Sequence, residues 1–196
     1  MQNKSGVQKL SYKIINAITL YRIIMAPVLV ILIFTKQIDV FKWLLALSFF
    51  TDLIDGVLAR RFKVKSILGS KLDSIGDDLT ILAATIGLFV FKYDFIRDQF
   101  AIFIIPFSLF VLQTMMALVR YRKMSSFHTY LAKGSAILQG LFLILIFILH
   151  SPVYLLFYAA AFLTTVDLIE EIILVLVLPR WEANVKGLYW VVRRKK

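Results

Sequence analysis

The sequence predicts an all-α integral membrane protein with six transmembrane helices, and three observations support this prediction. The chain of 196 residues is 60% hydrophobic and only 18% charged, with a mean hydropathy of +0.83. Soluble domains are less apolar and carry more charge. Six apolar stretches each reach the length of about 20 residues that a spanning helix needs, and short polar connections separate them.

The six predicted spans fill most of the chain and leave no stretch for a separate soluble domain. Pro179 follows the last span and gives it a stop signal. We expect a single membrane domain over 1–196 with an amphipathic juxtamembrane helix at 1–13, a six-helix bundle at 15–178 and a cytoplasmic tail at 179–196. The predicted spans are 15–35, 40–59, 68–91, 100–119, 130–149 and 153–178.

The charge distribution predicts the orientation of the chain. Lys and Arg outnumber Asp and Glu by 23 to 12, which gives a net charge of +11, and the chain has no cysteine for thiolate chemistry. Basic residues favour the cytoplasmic ends of spans, and sixteen of the 23 fall on one predicted side together with both termini. We expect both termini in the cytoplasm, location in the inner (cytoplasmic) membrane, and contact with anionic lipid rather than nucleic acid.

Acidic residues inside spanning helices are costly and indicate a functional site. Asp52 and Asp55 lie three residues apart in the second span, and Asp73 and Asp77 lie four apart in the third. Each pair shares one face of its helix, and the short connection makes the two helices antiparallel neighbours. The four carboxylates should therefore converge, and one or two Mg²⁺ ions, with Mn²⁺ also suitable, would balance their charge.

The residues between these acids suit a bound phosphate or nucleotide. Gly56, Ala59 and Gly69 leave space close to the backbone, and Arg60 offers a cation to phosphate oxygens. The whole pattern reads Asp52-x-x-Asp55-Gly56-x-x-Ala59-Arg60, eight further residues, and Gly69-x-x-x-Asp73-x-x-x-Asp77.

This pattern resembles the signature of the CDP-alcohol phosphotransferase (CDP-alcohol phosphatidyltransferase) family at all eight of its positions. The resemblance implies six helices with the signature on the second and third. It implies an enzyme that moves a substituted phosphoryl group from a CDP-linked donor to an alcohol and releases CMP. It further implies two Mg²⁺ ions, a CDP-diacylglycerol donor taken from the bilayer, and a homodimer.

The resemblance also implies a role for each signature residue. Asp77 is implied to be the general base that takes the proton of the acceptor hydroxyl. The implied metal ligands are Asp52, Asp55, Asp73 and Asp77. The residues implied to bind the CDP moiety are Asp52, Gly56, Ala59, Arg60, Gly69 and Asp73.

The acceptor is predicted from weaker features. The run NAITLYR at 16–22, followed by Pro27, is similar to bacterial phosphatidylglycerophosphate synthases, and this favours glycerol 3-phosphate. The run LDS at 72–74 is nearer to phosphatidylinositol-phosphate synthase-like and serine-type members, so inositol phosphate, inositol and serine remain alternatives. Arg120 and Lys133 are predicted to bind a phosphorylated acceptor; the alternative is that they set topology and bind anionic lipid.

Two other classes of membrane protein also use intramembrane acids. Intramembrane prenyltransferases bind a diphosphate through Asp-rich helices and Mg²⁺, but their two motifs lie far apart in sequence. A small transporter could use acids as an ion path, but that function does not require small residues and Arg60 at these positions. Both classes remain non-family alternatives at this point.

Charged residues outside the signature need separate explanations. Asp167, Glu170 and Glu171 share one side of the last predicted span, where they either pair with Lys133 or Arg22 or contact acceptor hydroxyls. Arg22 in the first span either pairs with the acids of the site or extends to the membrane interface.

The base assignment predicts the effect of one substitution. Asp77→Asn should abolish turnover while donor binding largely survives, because the amide cannot accept the hydroxyl proton. A membrane assay of CMP release together with donor binding measures both quantities. Near-wild-type turnover in the variant would contradict the assignment.

Overall fold

The described residues of the chain form eight α-helices and no β-strand. The helices are α1 (Gln2–Phe34), α2 (Ile38–Phe62), α3 (Ile67–Phe91), α4 (Tyr93–Asp98), α5 (Phe100–Tyr121), α6 (Tyr130–Ile148), α7 (Tyr154–Val177) and α8 (Leu188–Arg194). The predicted all-α class is confirmed, and each of the six predicted spans coincides with a helix. The short helix α4 was not predicted, and α8 lies within the closing segment from Trp181, whose mixture of apolar and basic residues is typical of a surface-lying helix.

A computed structural model provides the coordinates. It describes the backbone of residues 2–62, 67–123, 125, 127, 129–182 and 185–194. Within these ranges the side chains of residues 2–16, 19, 52, 53, 55–62, 67–74, 77 and 78 are not described.

Two helices in the described part of the chain are long and apolar enough to cross a membrane. They are Phe100–Tyr121 and Tyr130–Ile148, and shorter apolar segments occur at Leu20–Phe34 and Leu79–Phe91. These helices indicate a membrane protein. The number of six spans stays a prediction.

The chain divides into two compact units, Met1–Asp94 and Phe95–Lys196. In the first unit, α1 packs extensively against both α2 and α3, which share a smaller contact. A tight turn joins α1 to α2, with Lys36 in a left-handed conformation at a φ of 57°. Helix α1 is thus the element that holds the two signature helices together.

The end of the first unit opposite the signature is closed by aromatic packing. The rings of Phe41 at the start of α2 and Phe91 at the end of α3 lie 5.4 Å apart. On the exposed side of the same end, the Lys42 ammonium donates to the Asp39 carboxylate at 2.6 Å. This hydrogen bond and the positive charge lower the pKa of Asp39.

In the second unit, α7 is the central helix and packs against both α5 and α6. Aromatic side chains fill one end of this unit: the Phe95 ring lies 5.0 Å from that of Phe157 and 5.9 Å from that of Phe142. The other end has a core of buried apolar residues that includes Ala117, Leu174 and Val191.

The C-terminal segment packs against this second unit. Val185 and Val191 are each 3% exposed, and the ring of Trp190 lies 5.3 Å from that of Tyr130. The backbone N–H of Leu188 donates to the Glu170 carboxylate at 2.8 Å. The part of the predicted tail at 179–196 that forms α8 is therefore folded onto α7, because its apolar residues complete the core there.

Candidate functional site

The eight signature residues all lie within two continuous helices. Asp52, Asp55, Gly56, Ala59 and Arg60 belong to α2. Gly69, Asp73 and Asp77 belong to α3. Their side chains are outside the described residues, so the site is built here from the helical register and from the described neighbours.

The buried face of α2 leads directly to the first acidic pair. Phe41, Leu45 and Ser48 are buried, at spacings of four and three residues. The same alternation continues to positions 52 and 55, because residues three and four apart lie on one side of a helix. The register therefore places Asp52 and Asp55 on the continuation of the face that α2 buries.

The buried face of α3 leads to the second pair in the same way. Thr80, Ala84 and Leu88 are buried at four-residue spacing. Stepping back by three and then four residues reaches positions 77 and 73. The register thus places Asp77 and Asp73 on the continuation of the face that α3 buries.

Helix α1 contributes a buried cation to the same unit. Arg22 is 1% exposed and lies one turn before Ala26 on the buried face of α1. A Cβ atom added to Gly76 of α3 would lie 3.5 Å from the Arg22 Cβ and 3.8 Å from its Cζ. Arg22 therefore packs against α3 at Gly76, which directly precedes Asp77 in the chain.

The chemistry of this donor set fits hard divalent cations. Carboxylate oxygens are the ligands that Mg²⁺ and Mn²⁺ prefer. Four helix positions that continue the buried faces of α2 and α3 carry an aspartate. Asp52, Asp55, Asp73 and Asp77 would hold the ions. Among the side chains that the structure does describe, no group of three or more His, Asp or Glu residues could hold a metal ion.

The acids of α7 accept hydrogen bonds from hydroxyl groups and from a backbone N–H group. Asp167 accepts from the Ser135 hydroxyl at 3.1 Å and from the Thr129 hydroxyl at 3.4 Å. Glu171 accepts from the Ser125 hydroxyl at 3.4 Å. Together with the bond from the Leu188 N–H to Glu170, these contacts give the acids neutral donors and tie α6 and α8 to α7, while Oε2 of Glu170 is buried without a hydrogen bond.

These hydroxyl donors were missed at the sequence level, although a signal existed. Thr129 and Ser135 stand at the beginning of an otherwise apolar helix, and the Thr129 hydroxyl also caps it by accepting from the Ala132 N–H at 3.1 Å. A buried hydroxyl in an apolar helix requires a partner. The acids of the next helix could have been suggested as that partner.

The two predicted acceptor residues differ in their surroundings. The Arg120 guanidinium donates to the Leu178 carbonyl at 3.3 Å, next to the Tyr121 hydroxyl, which donates to the same oxygen at 2.8 Å. Arg120 therefore helps to close the C-terminal end of α7. The Lys133 side chain is exposed, with its ammonium 5.5 Å from the Tyr130 ring centroid. The described contacts thus give Lys133 an aromatic neighbour rather than the expected pairing with the α7 acids.

The described part of this chain is helical and strongly apolar, and its acidic signature continues the buried faces of two consecutive helices. These features are typical of helical membrane proteins. The family model of CDP-alcohol phosphatidyltransferases matches residues 12–177. This chain is accordingly a member of the CDP-alcohol phosphatidyltransferase family. Membership decides against the prenyltransferase and transporter alternatives.

A relative among well-studied proteins supports the family. The cardiolipin synthase (CMP-forming) of Rattus norvegicus is 40% identical over 74 residues, which are 37% of this chain and 24% of that protein. The matched part of the chain thus spans about a quarter of the length of that relative. No solved structure gives a significant match. The family depends on divalent metal ions, which agrees with the donor set on α2 and α3.

Proposed function

We propose that this protein transfers the phosphatidyl group of CDP-diacylglycerol to glycerol 3-phosphate and releases CMP, which is the reaction of a phosphatidylglycerophosphate synthase. The eight-position signature on α2 and α3 carries the proposed transfer from a CDP-linked donor, and the run NAITLYR at 16–22 favours glycerol 3-phosphate as the acceptor. The helical register, which assigns both acidic pairs to buried faces, supports it.

Each signature residue has a chemical task in this proposal. Arg60 binds phosphate oxygens, and Gly56, Ala59 and Gly69 allow the nucleotide to approach the helix backbones. Asp77 accepts the proton of the attacking hydroxyl, so that the oxygen can attack phosphorus as CMP leaves. Asp52, Asp55, Asp73 and Asp77 would hold divalent ions, which would neutralise charge on the phosphoryl oxygens.

An apolar groove in the first unit supports a lipid donor. It lies between α1 and α3 and is lined by Ala26, Val30, Leu79 and Leu82, among others. Ala26 is one turn beyond Arg22, and Leu79 is nearly one turn beyond Gly76. A donor whose pyrophosphate is bound at the signature could therefore place an acyl chain along this groove.

The proposal includes the arrangement of the protein in its membrane. Six spans, cytoplasmic termini and location in the inner membrane agree with the one-sided distribution of Lys and Arg. The signature then faces the cytoplasm, where CDP-linked and phosphorylated substrates occur. A homodimer is proposed from the family resemblance.

A second candidate function is cardiolipin synthesis. The similarity to the rat cardiolipin synthase (CMP-forming) favours it. The product of such a reaction contains two phosphatidyl groups joined through glycerol, so the acceptor would be phosphatidylglycerol. The donor, the leaving group and the signature residues are the same in both candidates.

An acceptor panel distinguishes these possibilities. Purified protein receives CDP-diacylglycerol and Mg²⁺ with glycerol 3-phosphate, phosphatidylglycerol, inositol phosphate, inositol or serine in turn, and CMP and the labelled lipid are measured. We expect CMP release with glycerol 3-phosphate and its loss in EDTA, because the carboxylates alone cannot neutralise the transferred group.

The panel also shows how the proposal could fail. If product formed only with another acceptor, that acceptor would replace glycerol 3-phosphate in the proposal. The transfer of a phosphatidyl group with release of CMP would still stand. Absence of CMP release with every acceptor, in a preparation that is folded and contains Mg²⁺, would contradict the transferase proposal itself.

Lys133 provides a test of acceptor binding. Lys133→Ala should raise the KM for glycerol 3-phosphate about tenfold, since a charge-assisted hydrogen bond to phosphate is worth roughly 1.5–3 kcal/mol. The KM for the donor should change little. The matched control is Lys123→Ala, which removes another lysine beside an aromatic ring, 5.0 Å from the Trp181 ring centroid, and should leave the ratio of the two KM values constant. Equal changes of both KM values in Lys133→Ala would remove this lysine from the acceptor site.

A further inference from the structure

Arg22 is a permanent charge inside an apolar helix interface. It is 1% exposed and is the largest of the fully buried side chains in the described part of the chain. The guanidinium remains protonated at all physiological pH values. Burial of such a cation is strongly unfavourable unless negative charge lies beside it.

The contact with Gly76 identifies the stretch of α3 that lies beside the Arg22 guanidinium. A Cβ atom added to Gly76 would lie 3.7 Å from Nε and 3.8 Å from Cζ of Arg22, so the guanidinium itself lies against this stretch of α3. Asp77 follows Gly76 directly, and Asp73 precedes it by three residues. Both acids are thus within one helical turn of the guanidinium contact.

Positions 73 and 77 share the side of α3 that carries Gly76 and Thr80. Gly76 and Thr80 are buried, and positions 73 and 77 continue the buried face of Thr80 and Ala84. A planar guanidinium offers several N–H donors in fixed directions and can bind two carboxylates at once. The absence of a side chain at Gly76 leaves space for the guanidinium against α3.

We propose that Arg22 is a positioning residue for the candidate active site, and that its guanidinium pairs with the carboxylates of Asp73 and Asp77 and fixes their orientation. The catalytic consequence rests on the proposed function, whereas the pairing does not. With Arg22 in place, the α3 acids are ordered before the substrate binds, which reduces the reorganisation needed during the reaction.

A double-mutant cycle in thermal stability tests the pairing without any substrate. Purified protein in detergent with EDTA is compared as wild type, Arg22→Met, Asp73→Asn/Asp77→Asn, and the triple variant. Arg22→Met should lower the melting temperature by at least about 5 °C in the wild-type background, because it leaves buried carboxylates without their partner. In the background without the two carboxylates, the loss should be less than half as large.

The matched control is another cation of the same unit that lies in an exposed ion pair. Lys42 pairs with Asp39, whose side chain is 85% exposed, and Lys42→Met should shift the melting temperature by less than about 2 °C. Equal losses from Arg22→Met in both backgrounds would overturn the pairing. If Arg22→Met does not fold, Arg22→Lys replaces it in the same cycle, with a smaller shift and the same expected coupling.

Steady-state kinetics test the positioning role. Arg22→Met should lower kcat at least about tenfold, with both KM values within about threefold of wild type. Arg22→Lys should recover much of the melting temperature but only part of kcat, since an ammonium lacks the planar arrangement of donors. A raised donor KM with unchanged kcat would overturn positioning and show that Arg22 binds the donor phosphates instead. If the wild type itself releases no CMP, the proposed function fails, and the thermal cycle still decides the pairing.

Discussion

The central physical constraint on this protein is the cost of placing charge inside an apolar helical bundle. Carboxylates and guanidinium groups are tolerated there only when opposite charge or hydrogen-bond donors surround them. The first unit places two acidic pairs by register on the buried faces of α2 and α3, and it buries Arg22 between α1 and α3. Arg22 supplies one positive charge against four negative ones, and divalent cations provide the remainder of the balance in the proposed function. In the proposed function, the same charges that are costly inside the bundle bind metal ions and phosphate.

In the second unit, the donors that the structure describes around the buried acids of α7 are neutral. Asp167 is 7% exposed, and its described donors are the hydroxyls of Ser135 and Thr129. Glu170 accepts from the backbone N–H of Leu188 and thereby fixes the start of α8. Gly187 precedes that helix at a φ of 147°, and a Cβ atom there would lie 3.1 Å from the Glu170 carboxylate. These acids connect helices, whereas the proposed function assigns the acids of the signature to ligands.

Much of this could be predicted from sequence because the signals are long or strongly spaced. The six apolar stretches predict six helices, and the i, i+3 and i, i+4 spacings place each acidic pair on one face of its helix. Helix α4 has six residues, which is too short for a recognisable period. The mixed apolar and basic residues of α8 are typical of a surface-lying helix, but its packing against α7 depends on tertiary contacts. The burial of Arg22 depends on the absence of a side chain at Gly76, which only the packing of α1 on α3 reveals. The prediction that α2 and α3 are neighbours is confirmed, because the two helices are in contact. Each of them packs more extensively against α1 than against the other.

The most direct test of the account is the binding of Mn²⁺ to the purified protein, measured by electron paramagnetic resonance in the presence of CDP. The account predicts about two bound ions per chain, loss of this binding in Asp52→Asn/Asp73→Asn, and its retention in Asp167→Asn. Unchanged Mn²⁺ binding in the Asp52→Asn/Asp73→Asn variant, or absence of stoichiometric binding in the wild type, would contradict it.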